Sequence, residues 1–258
     1  MRFRFLVDEP EEGAFNMAVD EALFISASEP PGMATVRLYG FDPPTVSFGY
    51  RQNVEEAVDV DSCRELGVDW VKRPTGGRAL LHQHELTYSV ASPVGDVFRG
   101  FAVRALYDSV SSVIRSALTG LGVALDPTDA EAARAREPAL HVPCLAVPGR
   151  HEITSGGRKL VASSQRRGRR AFLQHGSILR RVDAGLWERV QPHGTPRVSI
   201  RAVGIDELTA EPVPRGRLVS ALLRAFEELF EAEGVTEGLS RRELERVADL
   251  RKKYRSSN

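Results

Sequence analysis

The chain is poor in cysteine: two in 258 residues, Cys63 and Cys144. Two isolated thiols build no disulfide framework, so the expectation is a cytoplasmic protein with reduced thiols. Runs of about 18 apolar residues are also lacking, which excludes a membrane-crossing helix. The opening Met1-Arg2-Phe3-Arg4-Phe5-Leu6-Val7-Asp8 is too short and too charged to read as a secretory signal. Net charge is zero, with 35 Lys and Arg against 35 Asp and Glu. Bulk charge therefore gives no argument for a nucleic-acid partner. The arginine clusters carry no interleaved aromatics on which bases would stack. None of the six histidines has a partner at zinc-site spacing. No cofactor and no metal are expected. No internal repeat or low-complexity linker interrupts the chain.

What is present is an ordinary apolar fraction of 42%, enough for a substantial core at this length. Phe15, Ala18, Val19, Ala22 and Leu23 recur at helical spacing, predicting a helix over 14–27. Alternation predicts strands at 35–39 and 45–48, separated by the turn residues Pro43-Pro44. A short helix is expected over 58–66, and a strand from Val68 that enters a glycine loop. Ala79–Leu81 and Leu86–Ser92 read as two strands of a hairpin. A long amphipathic helix follows over 101–121, then an Ala/Arg/Glu/Pro-rich excursion over 126–140. Strands are expected at 152–154, 159–165 and 171–178. Ser155-Gly156-Gly157 is a good signal for the first turn between them. Two amphipathic helices close the chain, over 218–232 and 240–253. Ser240 and Glu243 have capping-box spacing at the start of the second. Strands and helices without regular alternation predict an α+β fold with a mixed, largely antiparallel sheet flanked by helices. About 60 residues follow Ile200, too few for a full accessory domain. The expected organisation is one catalytic domain over 1–258, its C-terminal segment helical from about 215.

The most informative stretch is Lys72-Arg73-Pro74-Thr75-Gly76-Gly77-Arg78-Ala79-Leu80-Leu81-His82. Two glycines let backbone approach a ligand closely, and the arginines beside them suit an anionic group. By residue type alone it is a common surface turn, neither a P-loop nor a dinucleotide fingerprint. Its run into Glu85-Leu86-Thr87-Tyr88-Ser89 resembles the signature of the lipoate/biotin–protein ligase superfamily. Three further blocks are similar to it in the same order. They are Asn16-Met17-Ala18-Val19-Asp20-Glu21-Ala22-Leu23, Val36-Arg37-Leu38-Tyr39-Gly40 continuing to Ser47-Phe48-Gly49-Tyr50, and a segment beginning at Cys144. The last comprises Glu152-Ile153, Gly157-Arg158-Lys159, Ala162-Ser163-Ser164-Gln165 and Gln174-His175-Gly176-Ser177-Ile178. Together they span most of residues 13–180, and the branch most resembled is that of the cysteine-dependent octanoyltransferases. The resemblance implies the catalytic fold shared by biotin and lipoate protein ligases.

It also implies a chemistry. Cys144 precedes Lys159 by fifteen positions, as in the transferase branch, which makes it a candidate nucleophile. A thiolate that takes the acyl group first splits transfer from thioester to amine into two easier steps. A nearby ammonium favours that thiolate, so Lys159 is the candidate partner and proton carrier. Arg73, Gly76, Gly77, Arg78, Ala79, His82, Val161 and Ala162 are the expected substrate-binding residues, with Leu80 as further apolar lining. A Cys-His dyad, drawn from His82, His84, His141, His151 or His175, ranks below Cys-Lys. Cys63 is given no role. The expected donor is octanoyl-acyl carrier protein, and the expected acceptor an apo lipoyl domain such as glycine cleavage H protein. The chain is expected to be a monomer, with no nucleic acid or membrane partner. The arginine clusters at 166–170 and 180–181 suit an acidic protein partner or a solvated surface. Two alternatives stay open. One is an ATP-dependent lipoate–protein ligase, made less favoured by Arg78 where ligases have a third glycine and by Gln83 where an acid is common. The other is a non-catalytic lipoyl-domain-binding protein.

Overall fold

A computed structural model describes residues 2–94, 103–128, 143–146, 152–193 and 199–255. Among the described residues ten strands form two sheets. The larger has the order β10 (Glu233–Thr236), β1 (Arg2–Val7), β2 (Thr35–Tyr39), β6 (Glu85–Pro93), β9 (Ala171–Leu179), β8 (Arg158–Arg167), β7 (Ile153–Ser155). The smaller has the order β4 (Asp69–Lys72), β3 (Thr45–Phe48), β5 (Leu80–His82). β1 runs parallel to both of its neighbours, and every pair from β2 to β7 is antiparallel. The sheet is thus mixed and largely antiparallel, as expected. On β1, Phe3 and Phe5 are buried together with Phe226.

Helices cover both faces of the large sheet. α4 (Val103–Gly120) and α6 (Arg215–Phe230) pack on one side. On α4 the buried positions Val110, Val113, Ile114, Ala117 and Leu118 trace one helical stripe against Val36, Leu38, Tyr88 and Val90. α1 (Gly13–Ser28) and α7 (Arg241–Arg255) pack on the other, burying Ala18, Ala22 and Leu23 with Leu173, Val247 and Tyr254. The expected capping box of α7 forms: the Ser240 amide donates to Glu243 (2.8 Å) and the Glu243 amide to the Ser240 hydroxyl (3.3 Å). The short helices α2 (Val54–Ala57), α3 (Val60–Leu66) and α5 (Ala184–Val190) enclose the small sheet. Among the described residues no helix is long and apolar enough to cross a membrane.

One local expectation fails. β5 and β6 do not form a hairpin but belong to different sheets. Leu81 pairs with Val46 and shares a core with Phe48 and Ala79, whereas Leu86 joins the main core. Tertiary pairing of each strand outweighs a local pairing between them. The turn between them is sharp, with His84 at φ 56°. The Gly156-Gly157 turn, by contrast, does join β7 to β8, both residues having positive φ as a tight hairpin requires. Asp126 caps it, accepting from both glycine amides at 2.9 and 2.8 Å. Most of the segment expected as an excursion, from 129 onward, lies outside the described residues, as do His141 and His151.

Candidate active site

The site is assembled where the glycine loop of the small sheet meets the β7–β8 end of the large one. Cys144 opens a single 3-10 turn, Cys144–Ala146. Its amide donates to the carbonyl of Ala79 at 2.9 Å, stitching it to the loop. Leu80, Leu145, Ala162 and Leu179 form a small apolar cluster against which Cys144 packs. The thiol itself is half-buried.

Lys159, fully buried on β8, brings its Nζ within 3.7 Å of Cys144 Sγ and donates to the Cys144 carbonyl as well. The two residues singled out from fifteen positions apart are therefore in contact. Glu152 completes the group, with its carboxylate 2.6 Å from Lys159 Nζ. In the sequence it stands only within a resembling block, and no local signal marks it, because its place beside Lys159 depends on the β7–β8 pairing. Cys63 sits apart in the core of the small sheet, where burial and the carboxylates of Asp59 and Asp69 push its thiol up to about 12. It is a packed, unreactive thiol.

The glycine loop is held by Arg73. Its guanidinium donates to the carbonyls of Ser47 (2.9 Å), Gly76 (2.8 Å) and Arg78 (2.8 Å) and to the Ser47 hydroxyl (3.1 Å). Gly77 has φ 91°, and a Cβ there would stand 2.7 Å from Arg73. A Cβ on Gly49 would meet the Gly77 carbonyl at 2.2 Å. Glycine at these two positions is what lets the loop pass so close to β3. Arg78 reaches across to the carbonyl of Pro143 at 3.4 Å, one residue before the thiol.

Not every expected binding residue points at the thiol. Ala162 packs with Cys144, but Val161 turns to the opposite face and joins the main core. The Ala79 side chain belongs to the small-sheet core, and only its carbonyl reaches Cys144. His82 is buried, stacked on Phe41 at 4.1 Å, with its ring nitrogens on Ser47 (2.7 Å) and Ser177 (3.1 Å). Burial pushes its pKa below the ordinary histidine value, so it stays neutral.

A buried polar chain braces the loop from below. His175 on β9 contacts the Thr75 hydroxyl at 2.6 Å and Asp20 of α1 at 2.9 Å. Burial works to raise the Asp20 pKa, but the His175 hydrogen bond and the Arg37 guanidinium outweigh it and hold Asp20 ionised. An ionised carboxylate only accepts, so the His175 Nδ1 donates to Asp20, while its Nε2 shares a hydrogen bond with the Thr75 hydroxyl. Tyr39 (2.9 Å) and Ser89 (2.8 Å) also donate to Asp20. The position of a loop on the surface is thereby referred to the centre of the fold. Among the described residues no group of histidine, cysteine and carboxylate side chains has the geometry to hold a metal ion.

Residues 12–227 match the lipoyl protein ligase A/B catalytic domain family. An octanoyltransferase LipM of Moorella thermoacetica is 34% identical over 253 residues, covering 94% of this chain and 92% of the relative. That of Kyrpidia tusciae is 37% identical over 269 residues, covering 98% and 96%. That of Geobacillus kaustophilus is 38% identical over 227 residues, covering 83% and 81%. Among solved structures, a lipoate-protein ligase A bound with ATP superposes with a TM-score of 0.83 at 22% identity, covering 100% of this chain and 97% of the other. A putative lipoate protein ligase of T. acidophilum with bound lipoic acid gives 0.81 at 23%, covering 98% and 96%. At those identities the solved structures speak for the fold. The chain belongs to the lipoyl protein ligase A/B catalytic domain family.

Proposed function

We propose that this member of the lipoyl protein ligase A/B family is an octanoyltransferase that works through an acyl-enzyme on Cys144. The observation that carries the mechanism is the 3.7 Å contact between Cys144 Sγ and the buried Lys159 Nζ. The relatives named octanoyltransferase, similar over nearly the whole chain, support the substrate class.

The reaction runs in two halves. In the first, the Cys144 thiolate attacks the carbonyl carbon of an octanoyl thioester. The carrier's sulfur leaves with the bonding electrons and takes a proton from the Lys159 ammonium. In the second, the ε-amine of a lysine on the acceptor attacks the Cys144 thioester. Its proton passes to the neutral Lys159 amine, and Cys144 leaves as thiolate. The net change is thioester plus amine to amide plus thiol, and the enzyme returns to its starting charge. On this reading the backbone of Gly76, Gly77 and Arg78, with Ala162 and Leu80, which pack beside Cys144, receives the acyl group. Amides of that loop are candidates to stabilise the oxyanion. Octanoyl-acyl carrier protein as donor, an apo lipoyl domain or glycine cleavage H protein as acceptor, a monomeric enzyme and a cytoplasmic setting complete the reading. So does a single catalytic unit in which the helical C-terminal segment is part of the fold.

The test is incubation with octanoyl carrier protein and an apo lipoyl domain, with and without ATP and Mg²⁺. Transfer that proceeds equally without nucleotide supports the reading. Transfer only from free octanoate or lipoate, and only with ATP, would replace it by a ligase.

A further inference from the structure

Ala79 stands at the seam between the glycine loop and the Cys144 turn. It is buried, with 4% of its surface exposed. Its carbonyl accepts from the Cys144 amide at 2.9 Å, yet among the described residues its own N–H donates to no acceptor. A buried N–H left unpaired is rare, because it costs free energy comparable to a lost hydrogen bond. Two features fix where that N–H points. Arg73 Nη2 donates to the Arg78 carbonyl at 2.8 Å. The Arg78–Ala79 peptide is trans and planar, so the Ala79 N–H points the opposite way, out of the loop and away from Arg73. Ala79 also leads directly into β5, an edge strand of the small sheet whose Leu80 pairs with Ser47. Along a strand the N–H and C=O of one residue face the same edge, and the next residue faces the other. The Ala79 N–H therefore shares the open edge on which its carbonyl holds Cys144. Leu80 and Cys144 pack in one apolar cluster beside it.

We infer, on the reading of Cys144 as nucleophile, that the Ala79 amide is the donor that receives the oxyanion of acyl transfer, and that Arg73 is the positioning residue that aims it. When Cys144 Sγ bonds to the thioester carbon, the carbonyl π pair moves onto oxygen. The Ala79 N–H stabilises that charge until the pair returns and the carrier's sulfur leaves. The same oxygen is charged again when the acceptor amine attacks the Cys144 thioester, so one donor serves both halves. Arg73 acts only through the loop. Its grip on the carbonyls of Ser47, Gly76 and Arg78 keeps the Arg78–Ala79 peptide from turning.

The experiment compares octanoylation of Cys144 by the thioester and the dithioester of octanoic acid with N-acetylcysteamine, each rate divided by that of free cysteine. A donor aimed at an oxyanion favours oxygen over the larger and more weakly accepting sulfur, so the wild type should prefer the thioester. Replacing Ala79 by lactic acid through in vitro translation turns the amide into an ester and deletes the N–H. That variant should react with the thioester about a hundredfold more slowly and lose most of its preference for oxygen. Iodoacetamide alkylation of Cys144 develops no oxyanion and should keep nearly its wild-type rate. Arg73→Lys keeps a cation but has no fork to hold several carbonyls at once. Its preference for oxygen should fall as well, by roughly tenfold. The preference compares two donors on one protein, so a loss of folded material does not move it. A wild-type preference in the lactic acid variant would overturn the inference, whatever its absolute rate. A wild-type preference in Arg73→Lys would overturn the aiming role. Failure of the wild type to become octanoylated at Cys144 would instead sink the acyl-enzyme reading, a separate outcome.

Discussion

In the proposed mechanism Lys159 carries a proton rather than supplying only a charge. It is fully buried, yet bonded to a carboxylate, a carbonyl and a thiol. Lys159→Arg preserves the cation beside Glu152 but cannot release a proton, so transfer is expected to fall about a hundredfold or more. Wild-type kcat/KM in Lys159→Arg would leave a purely electrostatic role. Cys144→Ser keeps the shape of the turn and replaces a thiolate by a poorly ionised hydroxyl. It should lose at least about a thousandfold in transfer while melting at nearly the wild-type temperature. Substantial turnover by the serine variant in the carrier-protein assay contradicts the covalent route.

At the scale of elements, the glycine loop and the C-terminal helix have each a single point of failure. Gly49→Ala places a methyl group 2.2 Å from the Gly77 carbonyl, backbone against backbone, so the loop must move. The expected outcome is at least a tenfold loss of transfer and a destabilisation of about 1–3 kcal/mol, read by kinetics and thermal melting. α7 is tied to β1 by Arg4, whose two terminal nitrogens donate to Glu243 at 2.8 and 2.7 Å. Burial raises the Glu243 pKa, but the Arg4 hydrogen bond and the Ser240 cap outweigh it and bring it from 4.5 to about 2. A carboxylate with a lowered folded pKa contributes stability above its unfolded value and loses it as pH falls. The combined contribution of Arg4 and the Ser240 cap to this carboxylate, on the order of 3 kcal/mol, should be complete above about pH 4.5 and disappear toward pH 2. Glu243→Gln should flatten that part of the stability-versus-pH curve; an unchanged curve would show that the pair contributes nothing. The Ser240–Glu243 box was legible in the sequence because caps are local. The Arg4–Glu243 bond was not, because it joins residues 239 positions apart. The same distinction separates the β7–β8 hairpin, correctly read from Gly156-Gly157, from the supposed β5–β6 hairpin. There each strand finds its partner elsewhere in the chain. α5 and β10 carry too few residues to show a period at all.

On the scale of the whole molecule, the site exists only because two sheets meet. The small sheet brings the glycine loop, the large one brings Lys159, and the Ala79–Cys144 hydrogen bond closes the seam. Cys144 and Lys159 were legible through their resemblance to a family. Glu152, Thr75 and Asp20 became functional candidates only once the strands were paired, since buried polar networks leave no periodic trace in sequence, and His175, weighed in the sequence as a partner for Cys144, is bonded to Thr75 and Asp20. His82, by contrast, sat in a resembling block yet turns out to be a buried histidine linking β3 to β9. The central claim is that the acyl group rests on Cys144 between donor and acceptor. It is tested most directly by the mass of the protein after incubation with octanoyl carrier protein alone, without nucleotide, followed by addition of an apo lipoyl domain. The account predicts one octanoyl group on the peptide containing Cys144, lost from the enzyme as it appears on the acceptor lysine. An unmodified Cys144 under conditions where the acceptor is nonetheless octanoylated would contradict it.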